Sequence, residues 1–252
     1  MNDRLRTAML RQGVATEDLA DECGVDPKTV ERWIGKSRVP HRRHRWVTAK
    51  RLGTDETYLW PDVLADVGRK GGKDASRSEL VEIHVDRAAI PQEKWLRLLN
   101  GAQERIDVLV YSGTFFAQTQ PRVSPMLAKR ISEGAYVRLC FGDPNGEAVA
   151  VRDREESLCG TMAAKIRASL TYYREIAQVD GCEIRLHDTT PYNSIFRYDD
   201  DALINSHVFG QPASLNPTYH FRRVDGGALF EHHMAAFERV WATALPWLGT
   251  EA

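Results

Sequence analysis

The sequence predicts two domains of different class: a small all-α domain at the N-terminus, followed by a larger α/β domain with a mixed sheet. The chain has 252 residues, which is enough for two domains of ordinary size. Apolar residues recur at helical spacing through residues 1–65, whereas short apolar runs alternate with amphipathic segments over residues 79–252. Residues 66–78 read DVGRKGGKDASRS, which is polar, contains glycine and lacks periodicity, so we predict a linker there.

The composition is typical of a globular protein in a reducing, aqueous compartment. Hydrophobic residues make up 42% of the chain, and no apolar run approaches the roughly 20 residues of a membrane helix. The first ten residues lack the apolar core of a secretory signal, so we expect a cytoplasmic protein with no membrane partner. The four cysteines are scattered without a CxxC pair, which argues against disulfides and structural zinc. We expect neither a metal site nor a cofactor.

Residues 15–40 have the pattern of two short helices joined by a sharp turn. Thr16 is placed to cap the first helix, Gly24 takes the left-handed position of the turn, and Asp26 is placed to cap the second helix. Pro27 fits the first turn of that second helix because no amide donor is needed there. The side chains predicted to face inward follow helical spacing and are Leu19, Ala20, Cys23, Val30, Trp33 and Ile34.

Three more helices are predicted around this pair, over residues 3–12, 41–52 and 55–60. In the helix over residues 41–52, apolar spacing places one set of side chains inward: Trp46, Ala49 and Leu52. The arginines of the same helix are expected to point to solvent: Arg42, Arg43 and Arg45.

Positive charge is concentrated in one stretch of the chain. Residues 28–51 contain nine Lys and Arg residues and one acid, Glu31, although the whole chain has a formal net charge of −1. Lys28, Thr29 and Arg32 lie on the outer face of the second helix of the pair. A local basic face of this kind is the electrostatic footprint of a surface that binds a nucleic-acid backbone.

The run over residues 19–40 resembles the helix-turn-helix of the lambda-repressor-like (XRE) regulators. It shares an LA pair in the first helix, GV at the turn, a Thr-Val-x-Arg-Trp core in the second helix and a Gly-Lys-x-x-x-Pro exit. The resemblance spans about residues 3–60 and implies a DNA-binding domain whose second helix enters a major groove. We expect base contacts from Lys28, Thr29 and Arg32. We expect phosphate contacts from Lys36, Arg38, Arg42, Arg43 and Arg45.

From residue 79 onward, the pattern predicts strands that alternate with helices. Buried strands are indicated by the continuous apolar runs at 106–111 and 135–141. Further strands are predicted at 79–85, 182–186, 193–198, 203–209 and 219–223. Helices are predicted to begin at residue 91, to cover 126–133 and most of 147–179, and to open again at residue 226 or 227.

This second half resembles the phospholipase D-like fold, over about residues 80–245. The resemblance lies in the runs IDVLVYSGTFF and VRLCFGDP and in the tail that ends in FERVWATA. That superfamily uses a His-x-Lys-x4-Asp motif, in which the histidine attacks phosphorus and the lysine neutralises the phosphate. Here the hairpin NSIFRYDD puts Asn193 at the histidine position, Ile195 at the lysine position and Asp200 at the aspartate position. Because Asn193 is no nucleophile and Ile195 carries no charge, we expect no catalytic residues and a protein that is not an enzyme.

A ligand site is still expected, because open α/β sheets bind ligands beyond the carboxyl ends of their strands. Two such positions follow the buried strands at 106–111 and 135–141. In the hairpin and the strand after it, polar residues recur at alternate positions, through to Arg222. The residues expected to bind a small phosphorylated or nucleotide ligand are Tyr111, Ser112, Asp143, Asn193, Arg197, Asn205, His207 and His220.

These observations together predict a sequence-specific DNA-binding transcriptional regulator. Its partner is a double-stranded DNA operator, and its second domain forms a homodimer and senses a small-molecule ligand. Two alternatives use the same features. The first is a DNA-targeted nuclease or phosphodiesterase, and the second is an antitoxin-like protein-interaction module.

Overall fold

The computed structural model describes residues 1–61, 73–115 and 123–249. The chain forms two compact units, Met1–Gly71 and Gly72–Ala252. Of the expected linker, residues 66–72 lie outside the described part. Residues 73–78 of the predicted linker form a short helix. No helix among the described residues is long and apolar enough to span a membrane.

Within residues 1–61, the first unit contains five short helices around one apolar core, as the sequence predicts. Their bounds are α1 (Asp3–Gln12), α2 (Thr16–Cys23), α3 (Pro27–Gly35), α4 (Arg42–Arg51) and α5 (Glu56–Leu59). Leu5, Leu19 and Val30 are completely buried, and Trp33 is 2% exposed. The core therefore joins α1, α2 and α3, and the inward face predicted for the α2–α3 pair is confirmed.

The turn between α2 and α3 is held by local hydrogen bonds. Gly24 has φ 65°, the left-handed conformation that the turn requires. The Asp26 carboxylate caps α3 by accepting from the Lys28 amide at 2.8 Å. Thr16 does not cap α2 as we expected. Ala15 holds that position, and its amide donates to the Asp18 carboxylate at 3.0 Å.

The predicted faces of α4 need two corrections. Trp46 is half-buried rather than inward, and the Lys50 ammonium lies 5.0 Å from the centre of its ring. Thr48 is completely buried instead. Arg45 does not point to solvent, because its guanidinium lies 3.4 Å from the Glu56 carboxylate and donates to the carbonyl of Pro40. Tertiary contacts that helical spacing does not show hold two of these side chains: Glu56 of α5 pairs with Arg45, and Cys23 of α2 lies beside Thr48.

The second unit is built on an eight-stranded mixed sheet, which confirms the predicted α/β class with a mixed sheet. The strands are β1 (Leu80–His84), β2 (Arg105–Leu109), β3 (Tyr136–Gly142), β4 (Cys182–His187), β5 (Asn193–Tyr198), β6 (Asp201–Ser206), β7 (Thr218–Arg222) and β8 (Leu245–Pro246). Their order across the sheet is β1-β7-β6-β5-β2-β3-β4-β8. Strands β2, β3 and β4 run parallel, and the remaining pairs are antiparallel.

Helices cover both faces of this sheet. They are α6 (Lys73–Ser78), α7 (Gln92–Gly101), α8 (Val123–Ser132), α9 (Glu147–Glu155), α10 (Thr161–Thr171) and α11 (Leu229–Thr243). Helices α7, α8 and α10 pack on the face that carries Val108, Leu139 and Phe196. Helix α11 packs on the opposite face, against Leu109 and Ile195. Both faces of the central strands are therefore buried from solvent, which explains the continuous apolar runs in their sequences.

The segment predicted as one long helical stretch, 147–179, is broken between α9 and α10. Gly160 takes φ 87° at the break. The Asp153 carboxylate accepts from the amides of Gly160 and Met162, at 2.6 and 2.8 Å. These bonds cap α10 and turn it back beside α9.

A buried carboxylate ties the central strands together on the α11 face. Asp107 of β2 is completely buried, and its oxygens lie 3.0 Å from Arg105, 2.7 Å from Arg138 and 3.3 Å from Arg197. Glu238 of α11 accepts from both Arg105 and Arg138. Burial by itself would raise the pKa of Asp107, but the three guanidiniums outweigh it and hold the pKa well below its usual value. Asp107 is therefore charged in the folded protein.

The substitution Asp107→Asn is expected to destabilise the second unit strongly. It removes the carboxylate that all three buried guanidiniums contact and leaves Glu238 paired with Arg105 and Arg138, and breaking a buried ion pair in this way costs about 3–5 kcal/mol. Urea unfolding at pH 7, followed by circular dichroism, measures the change in free energy of unfolding. The exposed Asp225→Asn is the matched control. A loss no greater than that of the control would contradict the assigned role of Asp107.

Candidate functional site

The first candidate surface is the outer face of α3 and the segment that follows it. Lys28, Arg32 and Lys36 are exposed, and Thr29 is half-buried beside them. Because Val30 and Trp33 are buried in the core, the opposite face of the helix is held outward. The structure thus places the three residues predicted to contact bases on one accessible helix.

The residues predicted to contact phosphates divide into two groups. Arg38 and Arg43 are exposed, like Lys36. Arg42 is half-buried. The side chain of Arg45 is 13% exposed in its ion pair with Glu56, so it stabilises α4 against α5 and does not belong with the exposed cations.

The second candidate site is a cavity of about 340 Å³ in the second unit. It opens beyond the end of β2, at the edge of the sheet where the sequence predicts a ligand. Hydroxyl groups, aromatic rings and cationic side chains line it together. Its polar members include Arg87, Ser112, Thr114, Arg152, Lys165 and Ser194.

Three of the eight predicted ligand residues line this cavity: Tyr111, Ser112 and His207. Asn205 is buried and positions a lining residue, because its Oδ1 accepts from the Arg87 guanidinium at 3.2 Å. Burial raises the pKa of the Tyr111 phenol to about 12, so this group is a neutral hydroxyl at physiological pH.

The other four predicted ligand residues do not line the cavity. Arg197 lies on the opposite face of the sheet, where it pairs with Asp107. The Asp143 carboxylate closes its own turn by accepting from the Asn145 amide at 2.8 Å. The remaining two are held by neighbouring strands: Asn193 accepts from Ser206, and His220 Nε2 lies 2.6 Å from Asp201 Oδ1.

The cavity lining does not include Asn193 and Ile195, the hairpin residues that the sequence places at the histidine and lysine positions of the catalytic motif. The cavity is lined by Ser194 and Phe196, whereas Ile195 packs under α11. Since side chains alternate between the faces of a strand, a shift of one residue exchanges the inward and outward sets. Neither Ser194 nor Phe196 supplies an imidazole or an ammonium group at these positions.

Ser194 and His207 form a hydrogen-bonded pair in the cavity wall. Ser194 Oγ lies 2.9 Å from His207 Nε2, and His207 Nδ1 lies 2.9 Å from the carbonyl oxygen of Pro191. Because a carbonyl can only accept, Nδ1 carries the proton and Nε2 accepts from the serine hydroxyl. Burial lowers the pKa of His207 to about 4, so the imidazole is neutral near pH 7.

Sequence reasoning missed three cationic residues of the cavity. Arg87 lies in a short turn after β1, and nothing in the local pattern connects it with Asn205, which is 118 residues away. Lys165 is an exposed position of α10. Arg152 lies 3.2 Å from Glu155 and 2.6 Å from Glu156, and this i, i+3, i+4 spacing is the one signal that the sequence did contain. Among the described residues, no cluster of His, Cys, Asp and Glu could hold a metal ion.

The neutral His207 predicts a pH dependence of stability. The imidazole of the unfolded chain titrates near 6.5, while in the folded protein the pKa is about 4. The unfolded state therefore binds more protons as the pH falls through this range. The contribution of neutral His207 to the free energy of unfolding is fully present above about pH 6.5. This contribution is lost as the pH falls towards 4, and the loss amounts to up to about 3 kcal/mol.

The substitution His207→Gln is expected to remove this component. Free energies of unfolding, measured from pH 7 to pH 4, should fall less steeply for this variant than for the wild type. His232→Gln is the control, since His232 is exposed. Parallel pH profiles for wild type and His207→Gln would show that His207 is not held neutral.

Comparison with known proteins relates this chain to two solved structures and to one family. No curated protein matches its sequence. TrmBL2, an archaeal chromatin protein described with a novel mode of DNA binding, is 12% identical, with a TM-score of 0.41, over 88% of this chain and 72% of that one. Phosphatidylserine synthase from Haemophilus influenzae Rd KW20 is also 12% identical, with a TM-score of 0.43, over 66% of this chain. This chain covers 39% of the synthase's length.

The family match covers the whole sheet and all of α11. Residues 77–246 match the model described as "Domain of unknown function (DUF5919)", which is more than half of the chain. The cavity, the Asp107 ion pairs and the hairpin of β5 and β6 all lie within this range. The chain belongs to the DUF5919 family.

Proposed function

We propose that this protein is a DNA-binding transcriptional regulator. Its first unit reads an operator, and its DUF5919 domain dimerises and responds to a small ligand. The observation that carries the proposal is the exposed basic face of α3. That face is held outward by buried Val30 and Trp33.

The geometry of α2 and α3 is suited to a DNA groove. Gly24 and Asp26 set the angle between the helices through local bonds, so α3 is presented as a rigid element. A major groove about 12 Å wide admits one α-helix, and an arginine can bind the O6 and N7 atoms of guanine with two hydrogen bonds. Arg32, exposed near the middle of α3, is our candidate for that contact.

Cations beside α3 supply the contacts that fix its position on the duplex. Lys36, Arg38 and Arg43 are exposed at the end of α3 and the start of α4. Arginines and lysines in such places bind phosphates and set register without reading sequence. These contacts make affinity depend on salt.

An exposed apolar patch of the DUF5919 domain supports a homodimer. Tyr192 and Phe209 are 80% and 78% exposed, and Val208 is 47% exposed. The backbone brings Tyr192 beside the segment that contains Val208 and Phe209, because the amide of His207 donates to the carbonyl of Tyr192 at 2.9 Å. Exposed apolar patches mark contact surfaces, and a second copy would supply the second helix pair that a two-fold operator requires.

The substitution Arg32→Ala is expected to cost roughly 1–3 kcal/mol at one base pair and to relax sequence preference there. Arg43→Ala should weaken binding to all sequences alike and lower the salt slope by about one. Duplexes selected from a random pool, followed by fluorescence anisotropy at several salt concentrations, measure both effects. Arg97→Ala is the matched control, because Arg97 is exposed on α7 of the other unit.

The outcomes separate this proposal from its rivals. Unchanged specificity in Arg32→Ala would show that α3 is not the reading helix. Weak binding without salt dependence would favour a protein-interaction module. Cleavage of the labelled duplex by wild type, lost in Ser194→Ala, would favour a DNA-targeted phosphodiesterase.

The substitution Phe209→Glu is expected to convert the dimer into a monomer, because it places a charge in the apolar patch. Light scattering after size-exclusion chromatography measures the molar mass. Leu10→Glu is the control, since Leu10 is 73% exposed on α1 of the other unit. A dimer that survives Phe209→Glu unchanged would move the contact to another surface.

A further inference from the structure

We propose that the DUF5919 cavity binds a small monocarboxylate with a flat apolar body, and that Arg87 holds the carboxylate. This inference rests on the proposed ligand-sensing role of the second domain and narrows it to one chemical class. It also revises the phosphorylated or nucleotide ligand that we expected from the sequence. Three features of the cavity carry it: the partners of Arg87, the balance of charge and the nature of the walls.

Arg87 is a desolvated cation without a carboxylate partner. Its guanidinium donates to the neutral amide of Asn205 at 3.2 Å and lies 4.5 Å from the centre of the Phe115 ring. Among the described residues, no carboxylate lies within ion-pairing distance of it. Its Nε is buried and makes no hydrogen bond within the described part of the chain. Burying a charge without an opposite partner is costly, so an anion in the cavity would recover part of that cost.

The guanidinium nevertheless remains charged. Burial lowers the pKa of Arg87 to about 10, and the charge of Glu156 acts in the opposite direction. At neutral pH the side chain is therefore fully protonated. Glu156 does not neutralise it directly, because its carboxylate lies 2.6 Å from the Nε of Arg152.

Among the described residues that line the cavity, the buried charges leave a surplus of one cation. Arg152 pairs with Glu156, whereas no carboxylate lies within ion-pairing distance of Arg87. Lys165 is exposed, so water screens its charge. A phosphate monoester carries about 1.5 to 2 negative charges at pH 7, and a carboxylate carries one. The surplus matches a single carboxylate.

The remaining walls favour a flat apolar body. Tyr111, Phe115 and Phe196 contribute rings, and Val110 and Met162 contribute aliphatic surface. The pair formed by Ser194 and neutral His207 adds polar atoms without charge. At about 340 Å³, the cavity is at the lower end of the range for small-molecule sites, which suits a ligand of one ring and a short acid chain.

Three probes that share a phenyl ring test the inference on the full chain. They are 3-phenylpropanoate, its neutral amide 3-phenylpropanamide, and phenyl phosphate. Isothermal titration calorimetry gives their affinities, and thermal unfolding gives the stabilisation by the bound probe. We expect the carboxylate to bind at least tenfold more tightly than either of the other two.

Two variants test Arg87 itself. Arg87→Gln should lower the affinity for 3-phenylpropanoate at least tenfold and leave the weak binding of the amide unchanged. Arg97→Gln should bind like wild type. If Arg87→Gln does not fold, Arg87→Lys keeps the charge but loses the planar fork, and should retain carboxylate over amide selectivity at reduced affinity.

Three results would overturn the inference. These are tighter binding of phenyl phosphate than of the carboxylate, undiminished carboxylate binding in Arg87→Gln, and no binding of any probe at millimolar concentration. Anisotropy with selected DNA, measured on the same protein without probes, keeps the two proposals apart. If the protein binds DNA but no probe, the carboxylate inference is wrong and the regulator proposal stands. If the protein binds the carboxylate but no DNA, the regulator proposal is wrong and the carboxylate inference stands.

Discussion

The buried carboxylate of Asp107 is the interaction on which the second domain depends. It joins β2 to β3 and β5 through three guanidiniums, and Glu238 extends the cluster to α11. Charged groups are stable at this depth only because each one has a partner of opposite charge at hydrogen-bonding distance. The cluster holds β2 against β5, and these two strands bring Tyr111 and Ser194 to the same edge of the sheet.

Arginine side chains therefore have different partners on the two faces of the sheet. On the α11 face, Arg138 and Arg197 both form ion pairs with Asp107. On the other face, Arg87 contacts an amide and an aromatic ring, and no carboxylate of the described residues lies within ion-pairing distance of it. The first arrangement stabilises the fold, and the second leaves electrostatic free energy for a ligand to recover. This contrast is why we place the ligand-binding role on the cavity and not on the larger ion-pair cluster.

The first unit presents helix α3, which combines a buried inner face with an exposed basic outer face. Its turn uses Gly24 for a left-handed backbone and Asp26 for a cap, and its core uses Trp33 as the inward anchor of α3. Lys28, Arg32 and Lys36 are then left on the outside, whereas Arg45 pairs with Glu56. In the proposed regulator, Arg45 therefore stabilises the framework, and the exposed cations of α3 lie where a phosphate backbone can reach them.

The sequence by itself determined the class of both domains, the α2–α3 turn and the central strands, because helical spacing, Gly24, Asp26 and continuous apolar runs are local signals. Tertiary structure decided the site. It set which face of the hairpin lines the cavity, where a shift of one residue separates Ser194 from Asn193. It also brought Arg87 to Asn205 across 118 residues of chain. Such long-range pairing depends on the order of strands across the sheet, and a local pattern does not carry that information.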